Sequence, residues 1–490
     1  MSKTNYLLVT GLSLCAAIGG LLFGYDTAVI SGVVDAINAN FIDPRHLAEG
    51  ARNSLSGLVI ACALLGCVAG AAIAGPLSTA IGRKSGLFIA GLLFFLSSLG
   101  SAFPEFVWSA FGGTGPNALP AFMAYRVLGG TAIGMASMLA PMYIAEIAPA
   151  SARGLFVTLQ QIAIVAGINL VYFVNAVIEG YGNRAWLLTS GWRYMLASAA
   201  IPALLLMLSM LLVPETPRFL VLKDREDDAL KVLRRLVGES AAAATLKEIE
   251  GTLAEHTRPL MSYGALVLFV GIMMSVFQQA VGINAVLYYA PTMFENMGAS
   301  VHAAFWQAFI IGVTNSVFTL IALVTVDRLG RKPLLIIGAA VMAAAMLTLG
   351  SLFDTHLVSA AVEGGRGVSR SSSLAAIIAV VVFIGGFAMS WGPVTWVLLS
   401  EIFPNSIKGK AMSIAVAAQW IANFVVSSTF PAMDRNSVLN AAFNHGFAYW
   451  IYGLMSILAG LFVLRFIPET KGRSLEAIES SWIRPKAPML

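Results

Sequence analysis

EIAPASARG at 146–154 and EIFPNSIKG at 401–409 are one phrase written twice, 255 positions apart. Two further pairs share nearly the same offset: IGRK at 81–84 with LGRK at 329–332, and PETPR at 214–218 with PETKG at 468–472. Three matched pairs spread along the chain mark an internal duplication. Every copy lies at the edge of a long apolar run, so the phrases belong to turns between such runs. The chain reads as two homologous halves in parallel topology.

Composition says what the runs are. Of 490 residues, 58% are hydrophobic and only 11% charged, with a mean hydropathy of +0.81. Soluble domains carry about 25% charged residues, so this chain could not cover a surface facing water. A membrane-spanning helix needs about 20 mostly apolar residues. Twelve stretches qualify, at roughly 7–32, 54–76, 85–104, 121–145, 155–178, 194–213, 262–290, 303–326, 333–352, 373–400, 411–432 and 446–467. The predicted fold is an all-α membrane protein of twelve transmembrane helices in two six-helix halves, 1–214 and 259–467. A charged linker over 215–258 joins them, and a tail runs over 468–490. Pro104, Gly112, Gly113, Gly115 and Pro116 make 100–120 a loop. Gly130 and Gly134, four apart, suit close helix packing. In the linker, Leu230, Val232, Leu233, Leu236 and Val237 among charges predict short amphipathic helices, a solvated connection or a ligand-binding element.

Basic residues set the orientation, because translocated short loops avoid Lys and Arg. An even number of spans puts both termini on one face. Most of the 30 basic residues fall there, among them Arg83, Lys84, Arg153, Arg331, Lys332, Lys408 and Lys410. The opposite loops hold Arg45, Arg52, Arg184, Arg193, Arg366, Arg370 and Arg435. Both termini are therefore expected in the cytoplasm. The net charge of +5 is a topology signal, and no nucleic-acid partner is expected.

Other classes are excluded in turn. The first apolar stretch is too long for a cleaved signal peptide and lacks its small-residue site. Cys15, Cys62 and Cys67 lie in apolar runs, against a disulfide framework or a paired-cysteine zinc site. The sequence holds no G-x-x-x-x-G-K-[ST] loop and no H-E-x-x-H, and the glycines at 19, 20 and 24 follow no strand. Neither an enzyme, a cofactor nor a metal is expected.

Ionisable groups inside spans are expensive and mark function. Two are clearly internal, Asp26 in the first span and Arg126 in the fourth. They read either as a proton carrier with its partner or as a static pair that fixes packing. Uncharged amides are more numerous: Gln160 and Gln161, Gln278, Gln279 and Asn284, Asn315, and Gln419 and Asn423 beside Trp420. Amides donate and accept, as the hydroxyls of a neutral polyol do. Phe23, Tyr288, Tyr289, Trp391 and Trp396 could stack on a sugar ring, although single amides also bond between helices and single tryptophans also anchor at interfaces. On a straight helix Gln278 and Asn284 point about 240° apart. Unwinding at Gly282 would let both face one cavity. Gly385, Gly386, Gly392 and Pro393 mark a second break or kink.

The duplicated phrases also carry charge. Arg83, Glu146, Arg153, Glu215, Arg331, Glu401 and Lys408 cluster at helix ends on one face. They read as a latch holding the two halves together there, or as ordinary helix-end anchoring. Exposed pairs are worth about 0–1 kcal/mol each.

GGLLFGYDTAVISG at 19–32, the two GRK turns, PETPR, FQQAVGINAVLYYAP at 277–291 and PETKG resemble the sugar porters of the major facilitator superfamily along essentially the whole chain. AMSWGPVTWVLLSEIFPN at 388–405 and AVAAQWIANF at 415–424 are most similar to the bacterial D-xylose–proton symporter branch; mammalian facilitative glucose carriers are more distant. The resemblance implies that Gln161, Gln278, Gln279, Asn284, Trp396 and Gln419 hydrogen-bond a monosaccharide. Phe23, Tyr288, Asn315, Gly392 and Trp420 would line its pocket. It makes Asp26 the proton-coupling carboxylate, where facilitative members carry a neutral amide, and Arg126 its partner. Ile168 departs from a pocket glutamine of the xylose type, which admits a hexose. Ala199 departs from a glutamate, which leaves coupling to Asp26 alone. The expectation is a monomeric proton-coupled symporter of the bacterial inner membrane, importing D-xylose or a related sugar such as D-glucose by alternating access. The alternative is a facilitative uniporter.

Overall fold

The computed structural model describes residues 5–111, 113–149, 152–253, 259–354, 370–404 and 407–471, and among these there is no strand. Among the described residues, twelve helices are long and apolar enough to cross a membrane. Spans 1–6 are Tyr6–Gly32, Glu49–Ile81, Arg83–Ala102, Gly115–Ile147, Leu155–Glu179 and Arg184–Leu212. Spans 7–12 are Ala265–Tyr288, Val301–Val326, Arg331–Asp354, Leu374–Leu399, Lys408–Asp434 and Phe447–Phe466. The duplication shows in the packing, since span 3 lies against span 6 as span 9 lies against span 12.

Glycine sets the closest approaches. A Cβ on Gly130 would overlap the Ala63 carbonyl, and one on Gly134 the Cys67 carbonyl, so spans 2 and 4 meet backbone to backbone. Spans 1 and 5 do the same at Gly24, against the Ile164 carbonyl, and at Gly167, against the Leu21 carbonyl. Small residues let backbones pack where no hydrophobic drive separates helix from lipid.

The 100–120 region is not plain loop: Glu105–Trp108 is a helical turn, and span 4 opens with a 3-10 turn at Gly115–Ala118. The linker forms three short helices, Pro217–Leu222, Glu226–Val237 and Glu239–Leu253. The middle one starts with Glu226, Asp227 and Asp228 and ends with Arg234 and Arg235, charges that complement its macrodipole at both ends. Leu220, Val221 and Ala229 make the linker's small core with Val232, Leu246 and Ile249.

The chain folds into two compact units whose borders differ from those of the sequence halves. Unit 1 is Met1–Val29, Cys62–Val171 and Trp192–His256; unit 2 is Ile30–Ala61, Tyr172–Gly191 and Thr257–Leu490. Unit 2 therefore contains ends of spans 1, 2, 5 and 6 that the sequence assigns to the first half. The Tyr172 hydroxyl donates to the Leu287 carbonyl at 2.7 Å, and the Asn53 amide to the Arg435 carbonyl at 3.1 Å. Gly57 is so close to Ser428 that a Cβ would overlap its carbonyl. These contacts lie at the helix ends away from the GRK turns, on the distal face.

Candidate functional site

Within unit 1, the two internal charges meet. Arg126 grips Asp26 with both ends of its guanidinium, Nη1 to Oδ1 at 2.6 Å and Nη2 to Oδ2 at 3.2 Å. Asp26 is 7% exposed and Arg126 4%. Their helices fix this geometry: Asp26 lies half a turn beyond the Gly24 contact on span 1, and Arg126 one turn before Gly130 on span 4. A bidentate pair is directional as well as strong. Removing one member would leave a buried charge without its partner.

Unit 2 holds a neutral counterpart. Span 7 breaks where expected: its first helix ends at Ala280, Gly282 adopts φ +90°, and a new helix starts at Ile283. A residue with a side chain rarely adopts that backbone. The break lines up three amides. Asn284 donates to Gln279 Oε1 at 2.5 Å, and Gln279 donates to Gln278 Oε1 at 3.1 Å. Gln278 Nε2 in turn lies 3.3 Å from the carbonyls of Trp391 and Gly392. Those carbonyls flank the second break, at Ser390 with φ −131° and ψ −86°, between helices Arg370–Met389 and Trp391–Ile402. Such a chain of amides, loosely held at its Gln278 end, can re-pair with the hydroxyls of a neutral polar ligand.

The other candidates fall into two sets. Gln419 and Trp420 are buried on span 11, which packs on span 7, and Gln419 Oε1 has no hydrogen-bond partner. Asn315 and Tyr288 are buried, Gly392 is buried, and Trp396 is half-buried. Phe23 and Gln161, both half-buried, belong to unit 1. Two aromatics are structural instead. The Trp391 indole donates to the Leu335 carbonyl at 3.0 Å, and Tyr289 donates to the Ser427 carbonyl at 3.0 Å while stacking on Phe430.

Two polar groups were left out of the ligand set by sequence reasoning. Gln160 is 7% exposed, packs against Gly20, and finds no partner for either amide atom. Thr395 Oγ1 is buried and equally unpaired. The amide character of Gln160 was visible in the sequence, but neighbouring glutamines cannot be ranked without the helix rotation. Ile168 and Ala199 are both buried. Among the described residues no cluster of metal-ligating side chains is present.

The duplicated phrases converge into one network per half. In unit 1, Arg83 Nη2 holds Glu146 Oε1 at 2.9 Å, the Thr216 hydroxyl donates to Glu146 Oε2 at 2.6 Å, and the backbone N–H groups of Arg83 and Lys84 donate to Glu215. In unit 2, Arg331 Nη2 holds Glu401 Oε1 at 3.0 Å, Thr470 donates to Glu401 Oε2 at 2.6 Å, and Arg331 and Lys332 N–H donate to Glu469. Gly82 and Gly330 both sit at φ +96°, where a Cβ would also strike the Glu215 or Glu469 carboxylate. Arg83, Glu146 and Glu215 tie spans together inside unit 1, and Arg331 and Glu401 do so inside unit 2. Lys408 lies within electrostatic range of Glu401. Arg153 begins the helix of span 5, and its side chain lies outside the described part.

Charge also gathers on the distal face of unit 2. Arg184 Nη2 lies 3.3 Å from Asp35 Oδ2 and 3.8 Å from Glu295 Oε2, and Arg435 Nη2 lies 3.7 Å from Asp35 Oδ1. Burial first, then the neighbouring Asp35, pushes Glu295 up to about 7 against the pull of Arg184 and Arg435. The sequence presents these residues only as scattered loop charges.

Comparison with known proteins adds the lineage. The profile of the family described as "Sugar (and other) transporter" matches residues 12–482. The D-xylose-proton symporter of Escherichia coli (strain K12) is 48% identical over 491 residues, covering 98% of this chain and 97% of that protein. The glucose facilitated diffusion protein of Zymomonas mobilis subsp. mobilis is 44% identical over 485 residues, covering 98% and 99%. The solved inward open structure of the xylose transporter XylE from E. coli matches with a TM-score of 0.84 at 46% identity, covering 97% of this chain and 100% of that one. The same proton:xylose symporter bound to 6-bromo-6-deoxy-D-glucose gives 0.80 at 47% identity, covering 98% and 100%. With its two halves, broken seventh and tenth spans and near full-length similarity to these transporters, this multi-pass membrane protein belongs to the sugar porters of the major facilitator superfamily.

Proposed function

We propose that the protein is a proton-coupled monosaccharide symporter of the bacterial inner membrane, with both termini cytoplasmic, importing D-xylose or a related pentose or hexose such as D-glucose. The observation that carries this reading is the buried, bidentate Asp26–Arg126 pair. A carboxylate that holds its place in the membrane through one guanidinium loses that attraction when it gains a proton. Protonation thus releases Arg126 and biases an equilibrium between two arrangements of the spans. In this reading protonated Asp26 favours the outward-open state. Sugar hydroxyls then displace the long bonds from Gln278 to the span 10 carbonyls and engage Gln278, Gln279, Asn284, Gln161, Gln419 and Trp396. Phe23, Tyr288, Asn315, Gly392 and Trp420 shape the pocket. Spans 7 and 10, already jointed at Gly282 and Ser390, bend over the sugar before both cargoes leave inward. The symporter and facilitator relatives support a monosaccharide as the cargo class.

Uptake of labelled xylose and glucose into vesicles under an imposed inward proton gradient tests the reading. Wild type should accumulate sugar; Asp26→Asn should lose accumulation and keep sugar exchange. Accumulation that persists unchanged in Asp26→Asn sinks the coupling claim. A second reading, facilitated diffusion, is favoured by Ala199 in span 6, where the resemblance to the xylose-type symporters implies a further carboxylate, and by the facilitated-diffusion relative. That reading requires uptake indifferent to a protonophore.

A further inference from the structure

Spans 8, 9 and 10 enclose a crevice of about 270 Å³ whose lining includes none of the proposed sugar- or proton-binding residues. Phe318, Ile337, Val341 and Val382 form its walls, and Gly385 and Gly386 its floor. Added Cβ atoms at those glycines would come within 3.0 Å of Phe318 and Val341, so the missing side chains shape the space. Its one polar lining group, the Ser390 hydroxyl, already donates to the Gly386 carbonyl at 2.6 Å.

The mouth opens onto the bilayer-facing belt. Ile337 is 51% exposed and Val382 43%, and they continue into Val317, Leu320 and Ile378, each about half exposed. Water there would find no hydrogen-bond partners, and an empty crevice would forfeit dispersion contacts along its lining. Leu334, three residues past Arg331, marks its outer end. At about 1.5 Å per residue, the wall to Val341 runs roughly 10 Å into the membrane from the GRK side. Beside Gly338, about halfway along that wall, lies the Ser390 break, whose next carbonyls, those of Trp391 and Gly392, receive Gln278.

We propose that this crevice binds one acyl chain of a phospholipid from the GRK-side leaflet, and that the chain braces the jointed part of span 10. The occupant is fixed by continuity: the crevice is an inward extension of a surface whose solvent is hydrocarbon. The proposal goes beyond the transported cargo and stands whichever sugar is carried.

The test uses full-length protein in bilayer nanodiscs made with a phosphatidylcholine carrying a diazirine midway along one chain. After irradiation, labelled peptides are mapped by mass spectrometry. Peptides covering 331–343 and 377–390 should label several-fold above the lipid-facing stretch 92–99 of span 3. Val382→Trp, whose indole fills the mouth, should return them to that baseline, while Ile337→Ala, which widens it, should not. Hydrogen exchange at 387–392 should slow with longer lipid chains in wild type and lose that dependence in Val382→Trp. Baseline labelling in wild type overturns the site whatever the variants do. Exchange indifferent to chain length in wild type overturns the brace.

Discussion

In each half, the first and fourth spans are joined by one polar contact deep in the helix. In unit 1 it is charged, Asp26 of span 1 against Arg126 of span 4. In unit 2 it is neutral, Gln278 of span 7 against the carbonyls of Trp391 and Gly392 in span 10. The two halves join these spans at different levels and with different chemistry. A charged pair responds to a proton. Long, weak amide contacts at 3.3 Å are easily exchanged for the hydroxyls of a neutral guest. The difference shows one fold holding a titratable pair in one half and a chain of neutral amides in the other.

The strongest way to break the comparison is to remove the guanidinium. Arg126→Ala leaves a buried carboxylate unpaired, a change that costs about 3–5 kcal/mol. Thermal unfolding of the purified protein should show a large drop in apparent Tm, and Asp26→Asn added to Arg126→Ala should restore most of it. No recovery in the double variant would mean that Arg126 acts through something other than Asp26.

On the neutral side the effect should be smaller and fall on binding. Gln278→Ala should weaken sugar binding by about 1–3 kcal/mol, because a buried polar partner is lost. The apparent Tm without sugar should fall by less than in Arg126→Ala, since the two bonds that Gln278 donates are long, at 3.3 Å, and the group lost is neutral. Calorimetric titration with xylose and with glucose measures it. Native affinity in the variant would take Gln278 out of the site.

The two GRK networks sharpen the comparison further. The Arg83–Glu146 pair has side chains 7% and 10% exposed, and the Arg331–Glu401 pair 12% and 20%. Burial pushes Glu215 above the usual carboxylate range against the N–H groups that bind it. Around the more open Glu469 burial still pushes up, but the N–H bonds outweigh it and the net shift is downward. Arg83→Gln should therefore cost more stability than Arg331→Gln, about 1–2 kcal/mol against under about 1. Equal shifts in apparent Tm would show that burial does not separate the two copies.

The smallest expected effect concerns the distal face. Glu295 sits near 7 while an exposed carboxyl titrates near 4.5, so assembling its cluster with Asp35, Arg184 and Arg435 takes up a proton. Contacts favoured by that uptake are fully supported below the ordinary carboxylate range and weaken as pH rises through about 7. Hydrogen exchange at 33–42 and 290–296, corrected for the intrinsic rate, should rise between pH 5.5 and 8. In Glu295→Gln it should stay flat. The same slope in both would assign the pH response to another group.

Much of this was legible in the chain. Three repeated phrases gave the two halves, and run lengths gave the twelve spans. The rarity of charge singled out Asp26 and Arg126, and Gly282 marked the joint that aligns Gln278 with Asn284. Other features were not legible. Glu146 could be seen to need a cation but not to take Arg83 of its own half. Trp391 carried the same ring as Trp396, yet its indole is tied to the Leu335 carbonyl. Gln160 and Gln161 differ by one position, and only the packing against Gly20 shows which is buried without a partner.

Composition and periodicity alone determined that the chain spans a membrane twelve times, in duplicate, with one carboxylate inside. Apolar length and unpaired charge have costs that depend on residue type and not on neighbours. The tertiary structure alone decided who pairs with whom: the rotation of each helix about its axis and the crossings permitted at Gly24, Gly130, Gly134 and Gly167 select the partners. It also decided that the distal ends of spans 1, 2, 5 and 6 pack within unit 2, because Tyr172, Asn53 and Gly57 meet their partners only after the helices are in place.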